Sequence, residues 1–167
     1  MLYGMKPNYN PQTPGVVFKI AKDGTDYAVL HDFSPFFHFG LYTESTGPLV
    51  EGGDGFLYGV GAQDTTPFPF RMNKFGELYQ TGQTFSSEVT GLTKGNDGSI
   101  YGIASIGQLF KLDTAFGGLG VTTLPTPTFT DGVSGLVPLP SGEFCGTSPR
   151  GGDRNMGSVF KLTPPAQ

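Results

Sequence analysis

A pair of apolar or aromatic residues followed by glycine recurs four times, as Leu2-Tyr3-Gly4, Leu57-Tyr58-Gly59, Ile100-Tyr101-Gly102 and Phe144-Cys145-Gly146. The central residues stand 55, 43 and 44 positions apart. A phenylalanine followed by a cation and an aliphatic residue keeps step with it, at Phe18-Lys19-Ile20, Phe70-Arg71-Met72, Phe110-Lys111-Leu112 and Phe160-Lys161-Leu162, each copy 9 to 15 residues behind one copy of the first motif. Two further segments occur three times each. One is polar and β-prone and ends in Phe, at residues 27–33, 77–85 and 121–129. The other opens with Gly and Leu (Gly47-Pro48-Leu49, Gly91-Leu92, Gly135-Leu136) and runs into Asp54-Gly55, Asn96-Asp97-Gly98 and Ser141-Gly142. A fixed period of this size restricts the chain to architectures in which similar units stack to share a core.

Each segment is short, rich in Val, Ile, Leu, Phe, Tyr and Thr, and bounded by Gly, Pro, Asn or Asp, which is how strands read. Four strands per repeat predict an all-β fold, a β-propeller-like repeat domain of about four blades holding about 14 short antiparallel strands. The whole chain, 1–167, reads as one such domain, with repeats at approximately 2–56, 57–99, 100–143 and a partial 144–167. One strand of each three-copy kind is missing from four complete blades, so the first or last blade is expected to be incomplete. A four-bladed ring with one thin blade, a piece of a longer array and an assembly whose edge is covered by a neighbouring copy all fit that tally. Alternation over residues 16–20 puts Val16, Phe18 and Ile20 on one face and Val17 and Lys19 on the other. Asp54-Gly55 and Asp97-Gly98 have the spacing of two-residue hairpin turns, with positive φ at both central residues, and Asp23-Gly24 has the same part in the first repeat.

The period also explains the composition. The 27 Gly and 14 Pro make about a quarter of the 167 residues, a load that suggests disorder when it has no period. Here these residues punctuate strands, and 15 Phe, 7 Tyr and a net charge of only −4 argue for a packed core. Helix breakers in nearly every window exclude helical bundles. Charges are spread without like-sign runs, which excludes the footprint of a nucleic-acid binder. No apolar run or basic amphipathic stretch points to membrane insertion. Cys145 is the single cysteine, so neither an intrachain disulfide nor a cysteine-based zinc site is available. Pro7, Asn8, Asn10, Pro11 and Pro14 occupy the stretch where a signal peptide needs apolar residues, so no export signal is expected there.

The motifs resemble the GloVer tandem repeat, whose units run through Gly-Leu-Val, a short polar gap, Asp-Gly, an aliphatic-Tyr-Gly, a Gly-rich loop, Gly-Thr-Val-Phe-Lys-Leu and a Leu-His-x-Phe strand. The best local matches are residues 157–164 (Gly-Ser-Val-Phe-Lys-Leu-Thr-Pro), Val29-Leu30-His31-Asp32-Phe33 and Gly135-Leu136-Val137. The resemblance spans almost the whole chain, with Arg71 in place of Lys and the His kept only in the first copy. It implies a bacterial, exported or surface-anchored protein with a β-propeller-like fold, no established activity and no catalytic residues to carry over.

Candidate chemistry is sparse. His31 and His38 are the only histidines; alternation places His31 and Asp32 on opposite faces, and the resemblance, which marks His31 as a repeat position, implies a structural hydrogen bond for it. Gly47 stands 14 positions after Phe33, against six in the corresponding connections. That insertion carries Phe36, Phe37, His38, Phe39 and Tyr42, which read either as a carbohydrate- or protein-contact surface or as a plug over one end of the ring. Asp54, Asn96, Asp97, Asp131 and Asp153 sit beside glycines as turn formers, without the density of a calcium loop. Tyr3, Tyr58, Tyr101, Phe18, Phe70, Phe110 and Phe160 are repeat-equivalent structural positions. Lys19, Arg71, Lys111 and Lys161 are equivalent cations, expected to pair with a Tyr or an acid of the adjacent blade or to form an anion-binding collar. No metal, cofactor or catalytic set is expected. The function expected is that of a non-enzymatic extracellular or cell-surface protein that presents surfaces to copies of itself or to other surface components, with a ligand-binding propeller as the alternative.

Overall fold

The two four-copy motifs are cross-strand partners. In the computed structural model, which describes residues 1–6, 15–33, 48–63, 66–113, 118–125, 133–152 and 154–164, the described residues form 14 strands in four antiparallel sheets and no helix. The first sheet holds β1 (Leu2–Lys6), β2 (Val16–Ile20) and β3 (Ala28–Asp32). The second holds β4 (Val50–Glu51), β5 (Leu57–Gln63), β6 (Thr66–Met72) and β7 (Gln80–Thr81). The third holds β8 (Val89–Lys94), β9 (Ile100–Ala104), β10 (Leu109–Asp113) and β11 (Gly120–Thr123). The fourth holds β12 (Ser134–Pro138), β13 (Phe144–Ser148) and β14 (Ser158–Leu162). Within each sheet the strands lie in chain order.

The Tyr-Gly strands β1, β5, β9 and β13 pair with the Phe-cation strands β2, β6, β10 and β14 in one repeated register. Gly4 faces Phe18, Gly59 faces Phe70, Gly102 faces Phe110 and Gly146 faces Phe160. The reason is steric. A methyl group on Gly59 would lie 2.5 Å from Phe70 Cζ, and one on Gly4 2.6 Å from Phe18 Cζ, so each glycine leaves the space its partner's ring occupies. The ring in turn covers backbone that glycine leaves bare, which restores packing to a strand position that glycine otherwise weakens. In the same register Tyr3, Tyr58, Tyr101 and Cys145 stand opposite Lys19, Arg71, Lys111 and Lys161.

The turns differ from the two-residue hairpins expected. Gly52 N–H donates to Phe56 O (2.9 Å) and Gly55 N–H to Gly52 O (3.2 Å), closing a three-residue loop. The same pair of bonds closes the loops at residues 21–25, 73–77, 95–99, 104–108 and 139–143. Only the glycine enters the left-handed region, with φ of +80° at both Gly55 and Gly98, while Asp54 and Asp97 stay outside it. This is a tight turn completed by a glycine bulge. The aspartate thereby keeps an ordinary backbone, and its carboxylate receives the N–H two residues on, at Thr25, Phe56 and Ser99 (3.1 Å in each case).

Pro67 and Pro69 lie inside β6, where each removes a ladder hydrogen bond on the side its missing N–H would face. Their carbonyls accept from Phe85 and Gly82 on the outer side, where β7 runs for only two residues and pairs with Phe70 and Arg71 alone. The missing N–H groups therefore fall where little ladder exists.

Three apolar clusters join successive sheets. Tyr3, Met5, Val17, Leu30 and Phe33 of the first sheet and its end pack on Leu57, Phe68, Phe70 and Met72 of the second. Tyr58 and Val60 pack on Ile100, Phe110 and Leu112 of the third. Tyr101, Ile103 and Leu109 pack on Leu136, Phe144 and Leu162 of the fourth. The short starting strands β4, β8 and β12 lie side by side. Among the described residues no cluster joins the fourth sheet to the first, β1 and β14 lie in different sheets, and no sheet is closed. Among the described residues the first sheet has no counterpart of β4, β8 and β12, and the fourth none of β7 and β11.

Candidate functional site

The constellation that recurs with chemistry in it is an acid, a tyrosine and a cation at the turn leading into the Tyr-Gly strand. In the second sheet, the loop that holds Asp54 aims Oδ1 at the Phe56 N–H and leaves Oδ2 to accept the Tyr58 hydroxyl at 2.7 Å. Arg71, opposite Tyr58, brings Nη1 to 3.8 Å from the same oxygen, donates from Nε to Gln80 Oε1 (2.8 Å) and lies 5.0 Å from the centre of the Phe56 ring. In the third sheet Asp97 accepts from Ser99 N–H (3.1 Å) and the Tyr101 hydroxyl (3.0 Å), with Lys111 Nζ at 3.7 Å. The fourth sheet reaches a similar end with other residues. Glu143 pairs with Lys161 at 3.0 Å and accepts from Ser141 (2.8 Å) and Thr163 (3.3 Å), while Cys145 stands where the other sheets have tyrosine. In the first sheet Tyr3 and Lys19 remain opposite each other, and Lys19 makes no ion pair among the described residues.

The partners expected for these cations are a Tyr or an acid of the adjacent blade; Asp54, Asp97 and Glu143 do precede the repeat of their cation in the chain, but they do not lie in a neighbouring sheet. For Arg71, Lys111 and Lys161 the acid belongs to the cation's own sheet, because the hairpin that carries it folds back beside the strand opposite the cation. Three of the four cations are thus paired with an acid, which leaves Lys19 alone without an ion pair among the described residues and no continuous free basic collar there.

The electrostatics follow from these contacts. Burial pushes the Tyr58 hydroxyl up to about 12, and its hydrogen bond to Asp54 adds to the shift. Burial works to raise Asp97, but hydrogen bonds from Ser99 and Tyr101 and the charge of Lys111 outweigh it and hold the carboxyl below its ordinary 3.8. Glu143 is held below its ordinary 4.5, first by Lys161 and then by Ser141. Such groups are poor proton donors and acceptors near neutral pH. Their contribution is structural and pH-dependent. A carboxyl with a depressed folded value stabilises the fold fully above its unfolded value, and that stability is lost as pH falls through the folded value. The melting temperature is therefore expected to fall as the pH drops below about 4.5. Asp97→Asn is expected to make this acid limb shallower. At pH 7 it should cost about 0.5 to 1 kcal/mol, a small figure because the carboxylate is partly in water. Thermal melts of both proteins across pH 3 to 7 read this out; parallel acid limbs would contradict the role given to Asp97.

Two clefts lie beside these turns. One of about 390 Å³ runs between the third and fourth sheets, with Asp97, Tyr101, Glu143, Phe144 and Thr163 among its walls. The other, about 370 Å³, runs between the second and third, beside Asp54, Tyr58, Asp97 and Lys111. The sheets are also tied together here by Gly53 N–H to Gly98 O (3.0 Å) and Asn96 Nδ2 to Leu139 O (2.8 Å). Asp54, Asn96 and Asp97 thus shape and link turns. No group of three or more His, Cys, Asp or Glu among the described residues is arranged to hold a metal ion. Asp131 and Asp153 lie outside the described residues. No family model matches this chain, and no curated protein does.

His31 is held differently from the hydrogen bond expected. Its ring stacks on Tyr79 across the first and second sheets, centroids 3.8 Å apart and planes within 13°, with Phe33 edge-on at 4.7 Å. His31 Nε2 and Tyr79 Oη have no hydrogen-bond partner among the described residues. Burial holds the imidazole below its ordinary 6.5, opposed by the charge of Asp32, and pushes the Tyr79 hydroxyl up. The aromatic insertion with Phe36, Phe37, His38, Phe39 and Tyr42 lies outside the described residues. The signal for the acid of the cluster is in the chain: Asp54 precedes Tyr58, and Asp97 precedes Tyr101, by four residues. Tyr79 has no such signal, since it meets His31 only through the packing of two sheets.

Proposed function

We propose that the four sheets are successive blades of a β-propeller-like tandem-repeat protein of the GloVer kind. It works without catalysis, at the bacterial cell surface or outside the cell, by presenting surfaces, among them one for its own copies. The observation that carries this reading is the open edge of each outer sheet among the described residues. In the first sheet β1, and in the fourth sheet β14, form edges with no strand beyond them among the described residues. Exposed edges of this kind recruit strands from other chains, and an end-to-end contact that does not close on itself builds a filament. The acid, tyrosine and cation clusters support a structural role, because their charges are used on one another.

Size-exclusion chromatography with light scattering, over a concentration series and followed by negative-stain microscopy, tests the association. Oligomers or fibres that grow with concentration are expected. A discrete monomer at the highest concentration would overturn the self-association.

A further inference from the structure

Each internal interface is built from the same two unlike faces. The Tyr face of one sheet, which carries the residues in line with Tyr3, Tyr58 and Tyr101, packs on the Phe face of the next, which carries Leu57, Phe70 and Met72 or their equivalents. Because the register is the same in every sheet, equivalent positions can be compared directly. On the Tyr face, Val17, Pro69, Leu109 and Val159 each directly precede the motif Phe. Val17 and Leu109 are 0% and 1% exposed and Pro69 is fully buried, yet Val159 is 74% exposed. On the Phe face, Leu57, Ile100 and Phe144 are 1 to 2% exposed, whereas their equivalent Leu2 is 51% exposed. Val137 on the first of these open faces and Val29 on the other are also exposed.

We propose that the Tyr face of the fourth sheet docks on the Phe face of the first sheet of a second copy of this chain, continuing the internal interface from one molecule to the next. The two open faces are the two halves of a contact the molecule already makes three times. The fourth sheet offers Val137, Thr147 and Val159 where the third offers Thr93, Ile103 and Leu109. The first sheet offers Leu2, Phe18 and Ile20 where the second offers Leu57, Phe70 and Met72. Unlike faces make the contact heterologous, so one molecule uses a different surface at each end. This inference rests on the self-association proposed above and adds where and in which sense it occurs.

The test uses two variants, Val159→Asp for one face and Leu2→Asp for the other, with Val137→Asp as a second probe of the first face. All three sites are exposed in the single molecule, so melting temperatures should match the wild type. Each variant alone should associate about 100-fold more weakly, because a carboxylate would be buried unpaired at the contact. An equimolar mixture of Val159→Asp and Leu2→Asp should form dimers and nothing larger by light scattering, since each supplies the face the other has lost. If the wild type associates and the variants associate equally well, the contact is elsewhere and this inference falls while the self-association stands. If the mixture fails to pair although the wild type associates, the head-to-tail sense is wrong. A monomeric wild type overturns both.

Discussion

Replacing Phe110 by alanine is expected to cost about 3 to 5 kcal/mol, the usual range for emptying a buried aromatic site. Phe110 lies almost wholly out of water between the second and third sheets, its ring 4.5 Å from that of Phe85 and packed with Tyr58, Val60 and Leu112. The cavity cannot collapse easily, because one wall is the backbone at Gly102, which has no side chain to move in. Against a total stability of about 5 to 15 kcal/mol for a domain of this kind, the loss is enough to bring the chain near unfolding. Urea denaturation, with Phe160→Ala beside it, provides the measurement. Phe160 holds the same motif position but is only partly buried at the edge of its cluster, so its replacement should cost less than half as much. Equal costs would mean that the repeated Phe positions owe their effect to the strand and not to the interface.

Gly102→Val is expected to be as damaging from the opposite side. Any side chain at Gly102 enters the volume of the Phe110 ring, and Leu92 Cδ2 closes the other approach at 2.8 Å. The ring must leave the interface or the strands must part, and overpacking of this sort costs about 3 kcal/mol or more where nothing can give. Gly135→Ala supplies the contrast. A methyl group there meets nothing within 4 Å, and its φ is not in the left-handed region. That change should be neutral or stabilise by a few tenths of a kcal/mol through the unfolded chain. Combining Gly102→Ala with Phe110→Leu should recover part of the loss of Gly102→Ala alone, since the two residues share one space. Strict additivity of the two changes would refute the shared-space account.

Both expectations come from a pairing that the motifs announce but do not explain. The spacing of Tyr-Gly and Phe-cation segments identifies strands and their antiparallel sense, because alternation and turn residues are local properties, while their order within each sheet comes from the structure. It does not say that the glycine and the phenylalanine face each other, although that contact is why both recur. The turns show where local reading stops. An Asp-Gly pair suits a two-residue hairpin and also a three-residue loop closed by a glycine bulge. Which one forms depends on whether Gly52 or its neighbour finds Phe56, a choice made by strand register. The acid partners of Arg71 and Lys111 were within reach of the spacing between Asp and Tyr. The stack of His31 on Tyr79 was not, since it joins residues far apart in the chain through the packing of two sheets.

The sequence by itself determined the short strands and the glycine at each turn, because each depends on residues close together in the chain. Only the tertiary structure decided which copies of a motif are core and which are surface. Val17, Leu109 and Val159 occupy equivalent positions and are all aliphatic, yet the first two are buried and the last is in water. Burial belongs to the neighbour that covers a residue, and at Val159 and Leu2 the single molecule provides none.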